Sequence, residues 1–378
     1  MIERQLLARA FAQLGKGKAV LILGPRQSGK TTLLRMIAAR MDQAPLWLDC
    51  DEPDERRFLE NATSTALSQR IGEKRLVLID EAQRVSTIGL TLKLLVDKMP
   101  AVQVVASGSS SFGLGQAVRE PLTGRAREFH LLPLAAGEMV RQHGAIEERR
   151  LLEVRLRYGM YPEVVLHPGE ERDVLRQLAT AYLYKDVFSV RDLRRPEFLQ
   201  RLVEALALQV GREVSYHELG RTIGADSVTI GRYITLLEEA FVVFRLRSFS
   251  RNARNELKKS RKIYFYDNGV RNALIGNFQP PELRPDLGAL WENFLVSERI
   301  KMRENAGLET RSFFWRTAQQ QEIDYLEETN GRLDAAEFKW RAPPSFRLPR
   351  TFTKAYPDHT AQLVSPENYL TWLAAVAD

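Results

Sequence analysis

The chain has 378 residues, of which 44% are hydrophobic and 27% charged, and a formal net charge of +7. This length exceeds one ordinary core and predicts two or three domains of a soluble globular protein. The single cysteine, Cys50, excludes a disulfide framework or a cysteine zinc site within one chain. Without an 18-residue apolar run or a signal-peptide core, we expect a cytoplasmic protein with no membrane contact.

Short apolar runs alternate with helical stretches through the first 140 residues. The runs are rich in β-branched residues and are bounded by glycine, proline or charge; they are residues 19–23, 46–48, 76–79 and 102–106. This pattern is typical of buried parallel strands joined by crossover helices. We therefore predict an α/β domain with a parallel sheet over residues 1–145.

A phosphate-binding motif follows the first predicted strand. Residues 24–31, GPRQSGKT, match G-x-x-x-x-G-K-[ST] in full and lead into a predicted helix. Backbone N–H groups of such a loop surround phosphates, and the helix N-terminus adds positive dipole. Lys30 is the expected contact to the β- and γ-phosphates of ATP, and Thr31 the expected Mg²⁺ ligand. The predicted ATP-binding residues are Gly24, Pro25, Arg26, Gln27, Ser28, Gly29, Lys30, Thr31 and Thr32.

An apolar run ends in Asp80 and Glu81, fifty residues after Lys30. Asp80 is placed to hold the water shell of Mg²⁺, and Glu81 to orient or deprotonate the attacking water. The alternative is an acidic turn after a strand, but the position and order both fit an ATPase.

Two further groups are candidates for catalysis. The next strand ends in Ser107 and Ser109, where a polar side chain would lie near the γ-phosphate; an ordinary Ser-Gly loop is the alternative. Arg125 follows a glycine turn, and arginine suits the charge on a transferring phosphoryl group. Most single arginines are solvated surface residues, which is the alternative. Because Arg125 follows the sensor strand, away from the phosphate loop in sequence, we expect it to act on the ATP of a neighbouring subunit.

The middle of the chain reads as helices followed by a helix-turn-helix. Residues 215–223 predict a helix capped by Ser215, and residues 227–239 predict a second helix that buries Val228, Ile230, Ile234, Leu237 and Phe241. Thr229, Arg232 and Tyr233 would lie near its exposed side. A strand over 242–246 would begin a wing. The alternative is a module that packs as a lid or an oligomer contact.

Positive charge is concentrated directly after this module. Residues 245–262 hold eight Lys or Arg against one acid, Glu256, a charge of +7 that equals the net charge of the chain. Such a stretch is expected to contact DNA phosphates. The predicted DNA-binding residues are Thr229, Arg232, Arg251, Arg254, Lys258 and Lys259.

The last hundred residues predict a helix over 288–305 and strands near 311–315, 321–327, 333–339 and 362–364, after a Pro-rich linker at 279–285. Asp324, Glu337 and Lys339 form the pattern D-x12-E-x-K. Strand alternation places Glu337 and Lys339 on one face, where Mg²⁺ would be held by Asp324 and Glu337 and water activated by Lys339. Glu292 is a possible fourth member. The alternative is a fold that keeps these residues for binding or stability.

The whole set of motifs resembles a known family. GPRQSGKTTLL, LVLIDEAQRV, VVASGSSS and LTGRAREFHLLPLAAGEM are similar to prokaryotic AAA+-type ATPases with a C-terminal domain of unknown function that is like restriction endonucleases. The resemblance continues through residues 158–162, 262–269 and 290–294. It implies Walker A at Gly24, Gly29, Lys30 and Thr31, and Walker B at Asp80 and Glu81. It also implies a sensor serine and a family-type arginine at Arg125.

These observations predict three domains: an AAA+-like P-loop domain at 1–145, a helical and winged-helix domain at 146–278, and a restriction-endonuclease-like α+β domain at 279–378. The leading hypothesis is a homo-oligomeric, Mg²⁺-dependent ATPase that couples ATP hydrolysis to DNA. The alternative is a protein-directed ATPase switch with an inactive nuclease-like domain. A small-molecule kinase is a weaker third hypothesis, since no acceptor signature is visible.

Overall fold

The computed structural model describes residues 2–109, 121–181, 196–250 and 261–375. The chain divides into two units: Met1–Leu134 with Glu239–Phe241, and Ala135–Glu238 with Val242–Asp378. The middle and last predicted segments therefore lie largely in one unit, and the division into three domains stays a prediction.

A five-stranded parallel sheet organises the first unit, in the order β2-β3-β4-β1-β5. The strands are β1 (Ala19–Leu23), β2 (Leu46–Asp49), β3 (Leu76–Asp80), β4 (Gln103–Gly108) and β5 (Ala126–His130). Every residue of β1 and β3 is buried, which matches the continuous apolar runs of strands covered on both faces. The predicted parallel sheet is confirmed, and β5 is an addition to it.

The helices of this unit pack their apolar sides against the sheet. They are α1 (Leu6–Phe11), α2 (Lys30–Ala38), α3 (Pro53–Glu60), α4 (Ser64–Ile71) and α5 (Ile88–Lys98). In the core, Leu6 and Leu7 of α1 join Leu33 and Leu34 of α2 against strand residues that include Leu78. Helix α1, close to the first residue of the sequence, is therefore part of the core of the first unit.

The second unit begins with helices, as the sequence predicts. They are α6 (Ala136–His143), α7 (Ala145–Arg150), α8 (Leu152–Tyr158), α9 (Pro162–Leu166), α10 (Glu171–Ala181), α11 (Pro196–Leu208), α12 (Tyr216–Ile223) and α13 (Ser227–Glu239). The Ser215 side chain caps α12 by accepting a hydrogen bond from the Glu218 N–H, as predicted.

A six-stranded mixed sheet follows, in the order β11-β10-β9-β8-β6-β7. Its strands are β6 (Val243–Ser248), β7 (Arg261–Phe265), β8 (Arg311–Arg316), β9 (Glu322–Thr329), β10 (Arg332–Phe338) and β11 (His359–Val364). The helices interspersed with these strands are α14 (Asn268–Leu274), α15 (Leu287–Ala306), α16 (Arg350–Ala355) and α17 (Tyr369–Ala374). The predicted C-terminal strands are present, each within a few residues of its predicted position.

The predicted buried side of α13 is partly wrong. Val228 is 82% exposed, whereas Tyr233 is 5% exposed. The apolar stripe that packs inward runs through Ile230, Tyr233, Ile234 and Leu237, at i, i+3, i+4 and i+7. Val228 lies in the first turn, away from that stripe.

Candidate functional site

The loop between β1 and α2 has the backbone shape of a phosphate cradle. Gly29 has φ +95°, which favours glycine, and α2 begins at the next residue, Lys30. Gly24 passes so close to β5 that a Cβ there would lie 2.2 Å from the Leu131 carbonyl oxygen. Both glycines of the motif are therefore required by local geometry, and the helix N-terminus points its dipole at the loop.

Lys30 lies inside this loop. Its side chain is almost fully buried, and Nζ donates to the carbonyl oxygens of Gly24 at 3.0 Å and Pro25 at 2.8 Å. The Ser28 hydroxyl is also buried and has no hydrogen-bond partner within the described part of the chain. A buried cation and an unsatisfied hydroxyl in one glycine-containing loop fit the phosphate groups of a nucleotide.

Arg4 is a loop contact that the sequence motifs did not reveal. Its guanidinium is buried and donates from Nη1 to the Ser28 carbonyl oxygen at 2.5 Å and from Nη2 to the Leu132 carbonyl oxygen at 2.6 Å. It therefore joins the phosphate loop to the segment that follows β5.

The carboxyl end of β3 meets the end of β4 beside this loop. Asp80 is buried and accepts a hydrogen bond from the Ser107 hydroxyl, which in turn accepts from the Glu81 N–H at 3.2 Å. Glu81 has φ +52°, a left-handed conformation that turns the chain out of the strand. The structure thus brings Asp80, Glu81 and Ser107 together, as expected for a Walker B site and its sensor.

Gln83 links the second sensor candidate to Glu81. Its Nε2 donates to Glu81 Oε2 at 2.6 Å and to the Ser109 hydroxyl at 3.0 Å, while the Ser109 N–H donates to Gln83 Oε1 at 3.3 Å. The sequence analysis overlooked Gln83, although its place two residues after Glu81 could have drawn attention to it. Ser109 thus contacts the candidate water-orienting residue through Gln83.

Cys50 lies beside this site as a small buried residue. It is a free, buried thiol whose N–H donates to the Asp80 carbonyl oxygen at 3.0 Å. Burial, with added repulsion from Asp49 and Asp80, raises the pKa of the thiol to about 12. The thiol is therefore protonated and inert near neutral pH.

Arg125 is not brought to the phosphate loop of its own chain. Ala126 of β5 pairs with Ala19, so Arg125 precedes the amino end of the sheet, whereas the phosphate loop follows the carboxyl end of β1. Five residues of strand separate the two edges by about 16 Å. Arg125 Nε instead donates to Asp97 Oδ1 at 2.7 Å, and this hydrogen bond holds the pKa of Asp97 below its ordinary value.

The second unit contains the predicted carboxylate set. Glu292, Asp324, Glu337 and Lys339 line one open cavity of about 680 Å³. Asp324 Oδ2 accepts from the Phe338 N–H at 2.8 Å, because antiparallel pairing of β9 and β10 sets Asp324 opposite the end of β10. The four residues chosen from the sequence thus share one cavity, as expected.

The charges in this cavity are paired with lysines. The Lys262 ammonium lies 2.8 Å from Glu292 and 2.5 Å from Glu322, and Lys339 lies 2.7 Å from Glu337. Burial disfavours the charged form of Lys262, but Glu292 and Glu322 still raise its pKa. Lys262, which the sequence count included in the basic stretch, is therefore buried among carboxylates rather than exposed.

Asp324 is the least compensated group of the cavity. Burial, followed by repulsion from Glu292 and Glu337, raises its pKa to about 8. Across the described residues, no three His, Cys, Asp or Glu side chains are arranged to hold a metal ion. Ion pairs with Lys262 and Lys339 direct the Glu292 and Glu337 carboxylates towards ammonium groups rather than towards a shared metal position. A divalent cation would have to displace those contacts.

The residues expected to contact DNA are only partly described. Thr229 is half-buried, and its hydroxyl donates to Asp226 as part of the cap of α13. Arg245 pairs with Glu238, and the Arg261 guanidinium lies 4.6 Å from the centre of the Tyr216 ring. Both arginines are therefore held within the unit, whereas Arg232 is exposed on α13. Outside the described residues lie Arg251, Arg254, Lys258 and Lys259.

Within residues 2–109, 121–181, 196–250 and 261–375, no helix combines the length and apolar character that a bilayer crossing requires.

Three family models match successive parts of the chain. Residues 16–140 match an AAA domain, residues 149–280 a domain of unknown function (DUF8612), and residues 287–372 a domain of unknown function (DUF4143). The first match supports an AAA-type ATPase domain around the phosphate loop.

Three relatives are similar to most of this chain. The chain is 31% identical over 351 residues to the uncharacterized proteins Rv2008c of Mycobacterium tuberculosis and Mb2031c of Mycobacterium bovis, covering 91% of this chain and 76% of each relative. It is 26% identical over 301 residues to an uncharacterized protein of Haemophilus influenzae, covering 73% of this chain and 74% of that protein.

Solved structures are only weakly similar. A DNA replication initiation factor matches with a TM-score of 0.27 at 16% identity, over 62% of this chain and 86% of that one. Drosophila ORC bound to DNA matches with a TM-score of 0.27 at 14% identity, over 33% of this chain and 87% of that one. Similarity this low says nothing about a shared function.

Proposed function

This chain belongs to the same protein family as the mycobacterial proteins Rv2008c and Mb2031c, and we propose that it is a Mg²⁺-dependent ATPase that acts on or with DNA. The observation that carries the proposal is the phosphate loop with Lys30 buried inside it and Asp80 beside Ser107. The likeness of residues 16–140 to AAA domains supports the same activity.

The loop residues bind the nucleotide. Lys30 exchanges the carbonyl oxygens of Gly24 and Pro25 for the β- and γ-phosphates, and the N-terminus of α2 contributes its dipole. Thr31 in the first turn of α2 and Asp80 at the end of β3 would hold Mg²⁺, which when bound would supply positive charge next to the phosphates.

Glu81 orients or deprotonates the attacking water, and its surroundings keep it poised for that role. The Ser107 hydroxyl accepts from the Glu81 N–H, while Gln83, which also contacts Ser109, donates to the Glu81 carboxylate. A polar chain from the end of β4 to the candidate base would allow the site to respond to the γ-phosphate.

DNA contact is the second part of the proposal. Helix α13 presents its first turn to solvent at Val228, and the chain carries a formal net charge of +7. An exposed apolar residue at the start of a second helix suits contact with a thymine methyl group in the major groove. The carboxylate cavity of the second unit is a further candidate site, for a divalent cation next to DNA.

One observation favours the alternative, a protein-directed switch. Three basic residues of the stretch 245–262, Arg245, Arg261 and Lys262, make contacts inside the second unit. These contacts leave fewer basic side chains available to bind DNA phosphates than the eight counted in the sequence of this stretch. Salt-dependent binding to duplex DNA distinguishes the two functions.

Two substitutions test the ATPase assignment. Lys30→Ala should abolish ATP turnover, because it removes the cation from the phosphate loop. Glu81→Gln should keep ATP bound while lowering turnover by about 10²–10⁴-fold, since it removes the base but preserves shape. Steady-state phosphate release and nucleotide binding are the measurements.

Matched controls are Lys74→Ala and Glu52→Gln, which change the same residue types at exposed positions outside the loop. Both should retain wild-type turnover. Wild-type turnover in Lys30→Ala or in Glu81→Gln would contradict the assignment of the site.

A further inference from the structure

Arg4 holds the phosphate loop from a position outside the residues that match the AAA domain. It is 5% exposed, and its two terminal nitrogens donate to the Ser28 and Leu132 carbonyl oxygens. These acceptors are 24 and 128 residues away in the chain. One planar guanidinium therefore fixes the loop relative to the segment after β5.

The guanidinium also places positive charge beneath the loop. A Cβ built on Gly29 would lie 3.6 Å from Arg4 Nη1, so the charge is next to the residue that precedes Lys30. In a buried environment this charge is weakly screened. Phosphates bound in the loop would therefore be attracted by Arg4 without touching it.

The position of Arg4 is set by α1. Leu6, Leu7 and Ala10 are buried in the same core as α2, and the Leu7 N–H donates to the Arg4 carbonyl oxygen at 3.1 Å. Docking of α1 thus fixes the backbone of Arg4 before any nucleotide binds. The loop is held in shape by this contact rather than by the motif alone.

We propose that Arg4 is a positioning residue that preorganises the phosphate loop for the phosphates of ATP and ADP. The inference rests on the proposed ATPase function and adds a residue to the nucleotide site. Because Arg4 shapes the loop in the same way before and during hydrolysis, its loss weakens nucleotide binding and leaves the chemical step intact.

The test compares Arg4→Met, Arg4→Lys and Arg9→Met in the full chain. Methionine keeps much of the aliphatic length of arginine but has no hydrogen-bond donor. Lysine keeps the positive charge but lacks the planar guanidinium that donates two hydrogen bonds in a fixed geometry. Arg9 is a matched control, an arginine of α1 that lies over the Phe129 ring. The measurements are the Kd of a fluorescent ATP analogue and of ADP, KM and kcat, and thermal unfolding without nucleotide.

We expect Arg4→Met to raise the Kd and KM for ATP about tenfold with kcat within about twofold of wild type. The Kd of Arg4→Lys for ATP should lie between the values of Arg4→Met and wild type. The Kd of Arg9→Met should equal that of wild type. A purely structural role would lower the unfolding temperature but leave Kd unchanged at a temperature where each variant is folded.

A wild-type Kd for ATP in Arg4→Met would overturn the proposal. So would a loss of ATP affinity in Arg4→Met that is no larger than the loss in Arg9→Met. If Arg4→Met fails to fold, Arg4→Lys decides, and full ATP affinity in that variant would overturn it. Failure of the ATPase assignment is separate, because it would show as absent ATP binding by the wild-type chain.

Discussion

At the scale of single residues, the two candidate sites handle buried charge in opposite ways. In the phosphate loop, the buried Lys30 donates to two backbone carbonyls, which are weak partners for a cation. In the carboxylate cavity, Lys262 and Lys339 are paired with carboxylates, yet Asp324 is left beside Glu292 and Glu337. An incoming anion would relieve the first site, and an incoming cation the second.

The raised pKa of Asp324 predicts how the stability of the folded chain changes with pH. Its pKa in the folded chain, about 8, lies above its ordinary value of 3.8, so the folded chain retains a proton that the unfolded chain releases. The resulting stability is fully present below about pH 4 and is lost as pH rises towards about 8. In EDTA, the protection factors of the β9 and β10 amides, which correct for the intrinsic exchange rate at each pH, should therefore fall over this range in the wild type but much less in Asp324→Asn.

Divalent metal should reverse that loss. Mg²⁺ or Mn²⁺ at about pH 8, without nucleotide, should slow exchange in β9 and β10 of the wild type but not of Asp324→Asn or Glu337→Gln. Asp358→Asn, an exposed carboxylate of the same unit, is the control and should respond as the wild type does. Equal protection in all variants would show that the cavity binds no metal.

The same variants separate binding from chemistry. If the cavity cleaves DNA, Asp324→Asn and Lys339→Ala should stop cutting and leave ATP turnover intact. Metal protection without cutting of duplex, single-stranded or branched DNA would identify a cation-binding site alone. The D-x12-E-x-K pattern cannot distinguish these outcomes, because charge alternation on strands is common.

At the scale of elements, the sequence predicted those strands whose burial is visible in composition. β1 and β3 are continuous apolar runs, and both are buried throughout. β5, with the sequence AREFH, pairs only with β1 at the edge of the sheet and has no such run, so it could not be recognised. Edge strands carry polar residues on their open side, and only the pairing itself identifies them.

Long-range contacts limited the prediction of the sites. The motif residues of the phosphate loop and of the predicted Walker B site are local patterns, which lie at the carboxyl ends of β1 and β3. Arg4 has no local pattern, because its partners are Ser28 and Leu132. Lys262 was counted with its basic neighbours, but the strand turns its side chain inward, and the direction of a side chain depends on register.

The basic stretch between β6 and β7 is the element that decides between DNA and protein partners. Changing Arg251, Arg254, Lys258 and Lys259 to Glu should weaken duplex binding and flatten its salt dependence. If all four contact phosphates, the slope of log K against log salt should fall by about three to four in magnitude. The measurement is a titration of labelled duplex at several salt concentrations.

The control changes four exposed basic residues elsewhere to Glu: Arg57, Lys74, Arg150 and Arg176. This variant has the same net charge as the test variant, so a non-specific charge effect would appear in both. Unchanged affinity and slope in the test variant would favour the protein-directed switch. Far-UV circular dichroism of both variants verifies that the chain remains folded.

At the scale of the whole molecule, the nucleotide site lies in the first unit and the carboxylate cavity in the second. Arg125 raises the question of assembly, because it lies at the sheet edge opposite its own phosphate loop. A catalytic role for Arg125 therefore requires the nucleotide of another subunit. Its present partner, Asp97, is exposed and would release it at little cost.

Mixed assembly of two inactive variants tests this requirement. Lys30→Ala alone lacks the phosphate contact, and Arg125→Ala alone should lose about 10³-fold in turnover if its guanidinium stabilises the transferring phosphoryl group. When the two chains are co-assembled, some interfaces combine the intact loop of one chain with the intact arginine of the other. Turnover should then rise well above that of either variant alone.

Co-assembly of Lys30→Ala with Glu81→Gln should give no such gain, because Glu81 serves the loop of its own chain. A strictly monomeric protein with full ATPase activity, or an absence of recovery despite proven subunit exchange, would remove Arg125 from the catalytic set.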